Sequence, residues 1–180
     1  QQLVADLPSE QLRDTLEGFH ITPSYLADYD AVAAQASVPL TTQESHCHQF
    51  IAERARWASV LEDAKQAGDL SLRPIHGDPK VNNLMMDAES GKAIALVDLD
   101  TVKPGLVHYD IGDCLRSGCN PLGEETREPE AVVFDLERCG AILSGYLETA
   151  GQTLSEADHR YLFDAIRLIP FELGLRFFTD

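Results

Sequence analysis

The residues best suited to chemistry lie within one short part of the chain. "RPIHGDPKVNNLMMD" (73–87) carries His76, Asp78, Lys80 and Asn83, and "GKAIALVDLDTVKPG" (91–105) brings Asp98 and Asp100 at the end of an apolar run. Asp78 precedes a proline, which favours an extended backbone at that position. A carboxylate held on such a loop can accept a hydrogen bond from a hydroxyl and orient it for attack. Asn83, five positions on, offers a neutral, hard oxygen, and Asp98, twenty positions after Asp78, offers an anionic one. Magnesium takes few protein oxygens and completes its shell from phosphate and water. Asn83 and Asp98 could hold one such ion if the intervening segments form a hairpin, because the end of its second strand then lies beside the entry to its first. Phosphoryl transfer to a hydroxyl is the chemistry this set suits. Any one of these residues alone could be a turn residue, since Asp and Asn favour loops. Their joint spacing between apolar strands argues for a site.

The elements that must position them can be read outward from that centre. "NLMMD" and "AIALVDL" flank "AESGK", which reads as a β-hairpin with Gly91 in the turn, and "LRPIHGD" is a short apolar stretch before a loop. Upstream, "PSEQLRDTLEGF" has Leu12, Leu16 and Phe19 at helical spacing, with Ser9 as N-cap and Gly18 as stop. Thr22 followed by Pro23 reads as an N-cap and first helical residue. "TTQESHCHQFIAERARWASVLEDAKQAGD" is the longest periodic segment, its apolar stripe running through Cys47, Phe50, Ile51, Trp57, Ala58, Leu61 and Ala64 to a stop at Gly68. Downstream, "YDIGDCLRSG" reads as a short helix, and further helices fall within 131–150 and 155–178. Ser155 with Asp158 forms a capping box, and Pro170 should bend or interrupt the last helix. The chain thus divides into a helical part (1–70), a catalytic loop with a metal-binding hairpin (71–105) and a second helical part (106–180). That order predicts an α+β, mostly helical fold, not a doubly wound sheet.

Composition narrows the partners. A net charge of -16 argues against general binding to nucleic acid or to an anionic membrane, both of which need clustered Lys and Arg. It leaves room for a phosphorylated ligand, because bound magnesium supplies positive charge locally. No apolar run approaches a membrane span, and the first residues lack the progression of a signal peptide. A cytoplasmic protein with reduced Cys47, Cys114, Cys119 and Cys139 is the expectation. "HCH" at 46–48 resembles half a metal site, but on a helix His46 and His48 diverge too far to share an ion.

The pattern D-x-x-x-x-N, a hairpin, then Asp resembles the catalytic loop and metal site of protein kinases, with "VDLD" where those enzymes carry Asp-Phe-Gly. That departure points to small-molecule relatives. "HGDPKVNNLMMD" followed by "ALVDLDT" resembles the aminoglycoside phosphotransferase and choline kinase-like superfamily. "FHITP", "HGDPKVNN", "VDLDTVKPGLVHYDIGD" and "FELGLRFFTD" together are similar to its N-acetylhexosamine 1-kinase branch, and the similarity runs from about residue 3 to 180. The resemblance implies the C-terminal lobe of a kinase-like fold that uses ATP and Mg2+ to phosphorylate a small-molecule hydroxyl, in this branch a sugar. Asp78 would be the catalytic Asp, with Asn83 and Asp98 the magnesium ligands and nucleotide-site residues, and His76 would brace the loop. Asp110 would hold that loop through backbone hydrogen bonds. Lys80 is either a phosphate contact or a solvated loop residue, and Asp100 either supports the metal ligands or binds magnesium through water. Arg176 is either a sugar contact or the i,i+4 partner of Glu172. His20 either touches substrate or makes a helix-boundary hydrogen bond. An aminoglycoside acceptor and a non-catalytic binding module are the alternatives.

Kinases of this build cover the ATP phosphates with a glycine loop and a Lys from a separate β-rich lobe. Before Asp78 the glycines are only Gly18, Gly68 and Gly77, and the only Lys before Lys80 is Lys65. The expectation is therefore a fragment of a longer protein whose nucleotide lobe is not in this sequence. Its last helix, "RFFTD", ends without a stop signal. By itself the chain should be inactive, and it should hide the exposed interlobe face by self-association.

Overall fold

A computed structural model describes Pro8 and residues 11–180. Among the described residues are seven α-helices and four short strands: α1 (Thr22–Ala33), α2 (Thr42–Arg54), α3 (Val60–Gln66), β1 (Arg73–Ile75), β2 (Leu84–Met86), β3 (Ala93–Leu96), β4 (Lys103–Gly105), α4 (Val107–Gly118), α5 (Leu136–Ala150), α6 (Glu156–Arg160) and α7 (Leu162–Thr179). This is the mostly helical α+β arrangement expected, with the strands confined to the middle of the chain.

Two antiparallel pairs frame the chemistry-bearing segment. β2 and β3 form the hairpin, with Leu84 opposite Leu96, an irregularity between Met85 and Met86, and Gly91 at φ 65° in the connection. β1 pairs with β4, placing Arg73 opposite Gly105 and Ile75 opposite Lys103. This second pairing was not legible in three-residue strands, yet it ties the start of the segment to its end. Gly105 leaves room there for Ile75, since a Cβ would lie 2.3 Å from Ile75 Cδ1 and force that side chain to shift.

Helix α4 is the organising element because it is buried on several faces. Val107, Ile111 and Leu115, at i,i+4 spacing, pack with Ile142 and Leu143 of α5 and Ile166 of α7. Tyr109 turns the other way, into a core built from Ile51, Leu61, Ile75, Leu168, Ile169 and Leu175. Gly112 brings α4 close to α7, where an added Cβ would meet Ile169 Cγ1 at 2.5 Å and Ala165 O at 2.8 Å.

Four helix expectations need correction. Residues 11–20 form turns, not the predicted first helix, and Ser9 lies outside the described residues. Tertiary bonds hold this segment against the rest of the chain: Lys103 Nζ binds the Asp14 carboxylate and Leu16 O, and Thr15 Oγ1 donates to Asp100 O. Thr22 is the first residue of α1 instead of its cap, with Ile21 in the capping position, because the Thr22 hydroxyl donates to Glu172 Oε2. The long periodic segment breaks into α2, a 3₁₀ turn (Ala55–Trp57) and α3, with Trp57 set against Phe171 at 5.7 Å. α7 runs through Pro170 without interruption, and the break falls at Tyr161, between α6 and α7. Elsewhere the local signals hold. Thr41 and Glu44 cap α2 reciprocally, as Ser155 and Asp158 cap α6. Gly68 closes α3 at φ 81°. All four cysteines are free thiols, and burial together with Cys139 pushes Cys119 up to about 11. Among the described residues no helix is long and apolar enough to cross a membrane.

Candidate active site

The loop from His76 to Asn83 leaves β1 and is fixed through its backbone. Asp110, one turn into α4, accepts the N–H of His76 on Oδ2 and of Gly77 on Oδ1, both at 2.8 Å. Burial pushes the Asp110 carboxyl upward, while those two N–H groups favour its ionised form. From the hairpin side, Thr101 Oγ1 donates to His76 O at 2.7 Å. Gly77 sits at φ 89°, and a Cβ there would lie 2.6 Å from Thr101 O. Glycine is needed for both the angle and the space.

His20 holds the loop from a third direction. Its Nε2–H donates to Gly77 O at 2.7 Å and its Nδ1–H to Glu172 Oε1 at 3.0 Å. Both partners are acceptors, so the ring carries two protons. Burial disfavours the charged ring, but Glu172 and the Gly77 carbonyl outweigh it and hold the His20 pKa above the usual value. The residue adopts φ 66°, a left-handed conformation that non-glycine residues rarely take and that costs about 1–3 kcal/mol. Its 4% exposure and two engaged nitrogens make it a buried brace on one wall of the cleft.

The groups read as reactive lie on this fixed frame. Asp78 N–H donates to His76 Nδ1 at 3.3 Å, and His76 Nε2–H donates to Val97 O at 3.1 Å, so the His76 ring bridges the loop to the end of β3. Lys80 Nζ donates to Asp78 Oδ2 at 2.6 Å, which raises the Lys80 pKa. Asn83 Nδ2 donates to Asp78 O at 2.8 Å and lies 3.4 Å from Oδ2. Both side-chain donors therefore reach Oδ2, and Oδ1 is the carboxylate oxygen left to accept from a ligand.

Oxygen donors gather at the hairpin's base. The Asn83 amide nitrogen is committed to Asp78, which leaves Oδ1 as the side-chain atom open to a cation. Val97 N–H donates to Asn83 O at 2.9 Å, so Asp98, the next residue, enters the 3₁₀ turn Leu99–Thr101 beside Asn83. Asp98 is exposed, at φ 64°, and makes no capping bond with its side chain. One amide oxygen and one exposed carboxylate fit a hard cation that keeps most of its shell from elsewhere. Asp100 is exposed in the same turn. Among the described residues no group of three or more His, Cys, Asp or Glu is placed to hold a metal, as an Asn-plus-Asp site would not require one.

A cleft of about 890 Å³ opens beside Asp78 and Lys80, walled by Asp113 and Arg116 of α4, Glu124 and Glu125 of the following loop, and Glu172 and Arg176 of α7. Arg116 bridges Asp113 and Glu124, at 2.7 Å to each. Arg176 does not take Glu172 as its i,i+4 partner. Glu172 turns to His20 and Thr22, and the Arg176 guanidinium lies over Phe19 and Tyr25, 5.2 and 5.1 Å from their ring centres. Sequence reading passed over Asp113, Ser117 and Thr101. Asp113 and Ser117 fall three and seven residues after Asp110, the same helical face, and that spacing was the available signal.

The family model of the phosphotransferase enzyme family matches residues 2–141, more than half of the chain. The match includes the loop, the hairpin and α4, and stops before α7.

Proposed function

The chain belongs to the phosphotransferase enzyme family, and on that premise we propose that it takes part in ATP- and magnesium-dependent transfer of the γ-phosphoryl group to a hydroxyl of a small molecule, most specifically the anomeric hydroxyl of an N-acetylhexosamine. The observation that carries the reading is a carboxylate with one open oxygen, Asp78 Oδ1, on a loop tied down by Asp110, Thr101 and His20 at the edge of an 890 Å³ cleft. In phosphoryl transfer little covalent work falls to the protein, and positioning is most of catalysis.

Asp78 Oδ1 accepts the hydrogen bond of the acceptor hydroxyl and takes its proton as the oxygen bonds to phosphorus and ADP departs. Lys80 offsets the charge on Oδ2 and lies where it can reach a transferred phosphate. His76 keeps Asp78 aligned through the loop backbone. Asn83 Oδ1 and Asp98 would hold magnesium, with Asp100 beside them. Bound there, the metal supplies neutralising charge for the phosphates. The mixture of Arg116, Arg176, Asp113 and Glu125 around the cleft supports a polyhydroxylated acceptor. The N-acetylhexosamine assignment rests on similarity in "VDLDTVKPG" and "FELGLRFFTD". The sequence holds no glycine-rich phosphate loop before Asp78, so catalysis would need a nucleotide lobe from a longer protein, and the 180 residues alone would turn over little or nothing.

A coupled ADP-release screen of full-length protein against sugars, amino sugars, aminoglycosides and choline tests this, beside Asp78→Asn. N-acetylhexosamines should be preferred, and Asp78→Asn should lose about 10²–10⁴-fold in kcat while sparing nucleotide binding. A preference for an aminoglycoside would overturn only the sugar assignment. Near wild-type kcat in Asp78→Asn would remove its role as base, and tight magnesium-ATP binding without turnover on any acceptor would favour a binding module.

A further inference from the structure

Helix α4 holds the catalytic loop at two points. Asp110 takes the N–H groups of His76 and Gly77, just before Asp78. Ser117 Oγ accepts the N–H of Val81 at 3.1 Å, just after Lys80. The two side chains are seven residues apart, close to two helical turns, so they share one face about 10 Å apart along the axis. Asp78, Pro79 and Lys80 span the gap between these anchors. Pro79 has no N–H, and among the described residues the Val81 N–H is the first backbone donor after Asp78 to reach a partner outside the loop.

Val81 opens the 3₁₀ turn that ends at Asn83. Lys80, in the capping position, gives that turn no side-chain bond, and the N–H groups at the start of a helical turn need an acceptor from elsewhere. Ser117 supplies one from α4. The other end of the turn is tied to the hairpin and to Asp78: Val97 N–H donates to Asn83 O at 2.9 Å, and Asn83 Nδ2 donates to Asp78 O at 2.8 Å. Ser117 is 2% exposed, whereas Val81 is 50% exposed. With half of Val81 in solvent, packing fixes the start of the turn weakly, and the bond from a buried hydroxyl on a packed helix fixes it more firmly.

We propose that Ser117 is a positioning residue for the magnesium site. By holding Val81 it sets where Asn83 Oδ1 stands relative to Asp98, while Asp110 sets Asp78. This deepens the phosphotransferase reading and rests on it. One face of α4 then serves two ends of the loop, the base through Asp110 and the metal ligand through Ser117. Loss of the Ser117 bond should therefore show in metal-dependent nucleotide binding before it shows in turnover.

The bond can be removed from either partner. Ser117→Ala deletes the acceptor. Val81→Pro deletes the donor, at a first-turn position that suits proline, after a Lys80 whose ψ of 158° is the extended geometry that precedes one. Calorimetry on full-length protein measures the affinity for a non-hydrolysable ATP analogue with Mg2+ and with EDTA, beside turnover at saturating magnesium. Each variant should bind the analogue about tenfold more weakly with Mg2+, as for loss of an outer partner of a metal ligand, and as well as the wild type in EDTA. Turnover at saturating magnesium should fall by less. The double variant should be no weaker than either single one, since both changes remove the same bond. Wild-type affinity with Mg2+ in either variant overturns the proposal. So does an equal loss with and without the metal, which would show that the hydroxyl serves only the fold, and so does an additive loss in the double variant. A wild type that binds the analogue no better with Mg2+ than in EDTA overturns the underlying phosphotransferase reading instead.

Discussion

Asp78 depends on neighbours that contribute different kinds of constraint. Asp110 fixes N–H groups and His20 fixes a carbonyl, and only His20 does so with a charge that changes near neutral pH. Its folded pKa is raised above the ordinary 6.5, so its contribution to stability is complete below about 6.5 and is lost as pH rises through the folded value. The difference in melting temperature between the wild type and His20→Gln should therefore shrink as pH rises from 6.5 toward 9. A constant difference across that range would show that His20 does not bind its second proton on folding. For the metal, Asn83→Ala and Asp98→Ala should both weaken magnesium-dependent nucleotide binding by the full-length protein, Asp98→Ala more, because an anion contributes more to a hard dication. Losing even an outer partner of a metal ligand costs about 10–100-fold in affinity, so each direct loss should reach at least about tenfold. Metal titrations unchanged in both variants would sink the site.

At the scale of elements, the loop works because β1 and β4 close the segment at its base while α4 supports it from below. Gly77 is where these constraints converge, with φ 89° and Thr101 O at the position a Cβ would crowd. Gly77→Ala should destabilise the protein by about 1–3 kcal/mol, read as a lower denaturation midpoint at unchanged m. It should reduce turnover by more than the stability loss explains, since the loop must shift away from Thr101. Stability and turnover both equal to wild type would mean the loop relaxes freely, contrary to its three anchors.

For the molecule as a whole, the hairpin and the turn that follows it carry several exposed apolar residues. Met85, Met86, Ile94 and Leu99 are 49%, 53%, 62% and 58% exposed. Single exposed apolar residues are ordinary, but several within one short segment can form a contact surface. The 180-residue chain should therefore self-associate through this face, and sedimentation velocity across a concentration series should show larger species that Ile94→Glu reduces. A monomer at every concentration would remove the hairpin as a self-association surface. An unchanged Ile94→Glu profile would place the contact elsewhere.

The sequence by itself determined what depends on local spacing. The hairpin was legible from two apolar runs around Gly91 and the α6 cap from Ser155 and Asp158, whereas the bracing role of Asp110 in "YDIGD" came from the resemblance to kinase-like enzymes and not from spacing. Residues 11–20 misled because helical spacing of Leu12, Leu16 and Phe19 says nothing of Lys103, which donates to Leu16 O from β4. Only the tertiary structure decided the partners of His20, Glu172 and Arg176. His20 and Glu172 are 152 positions apart. No periodicity spans such a distance, and the charge pair exists only once α7 has packed across α1 and α4. The i,i+4 rule predicted a Glu172–Arg176 pair from local geometry, and a buried imidazolium competed for the carboxylate more strongly than a guanidinium that could rest on two aromatic rings.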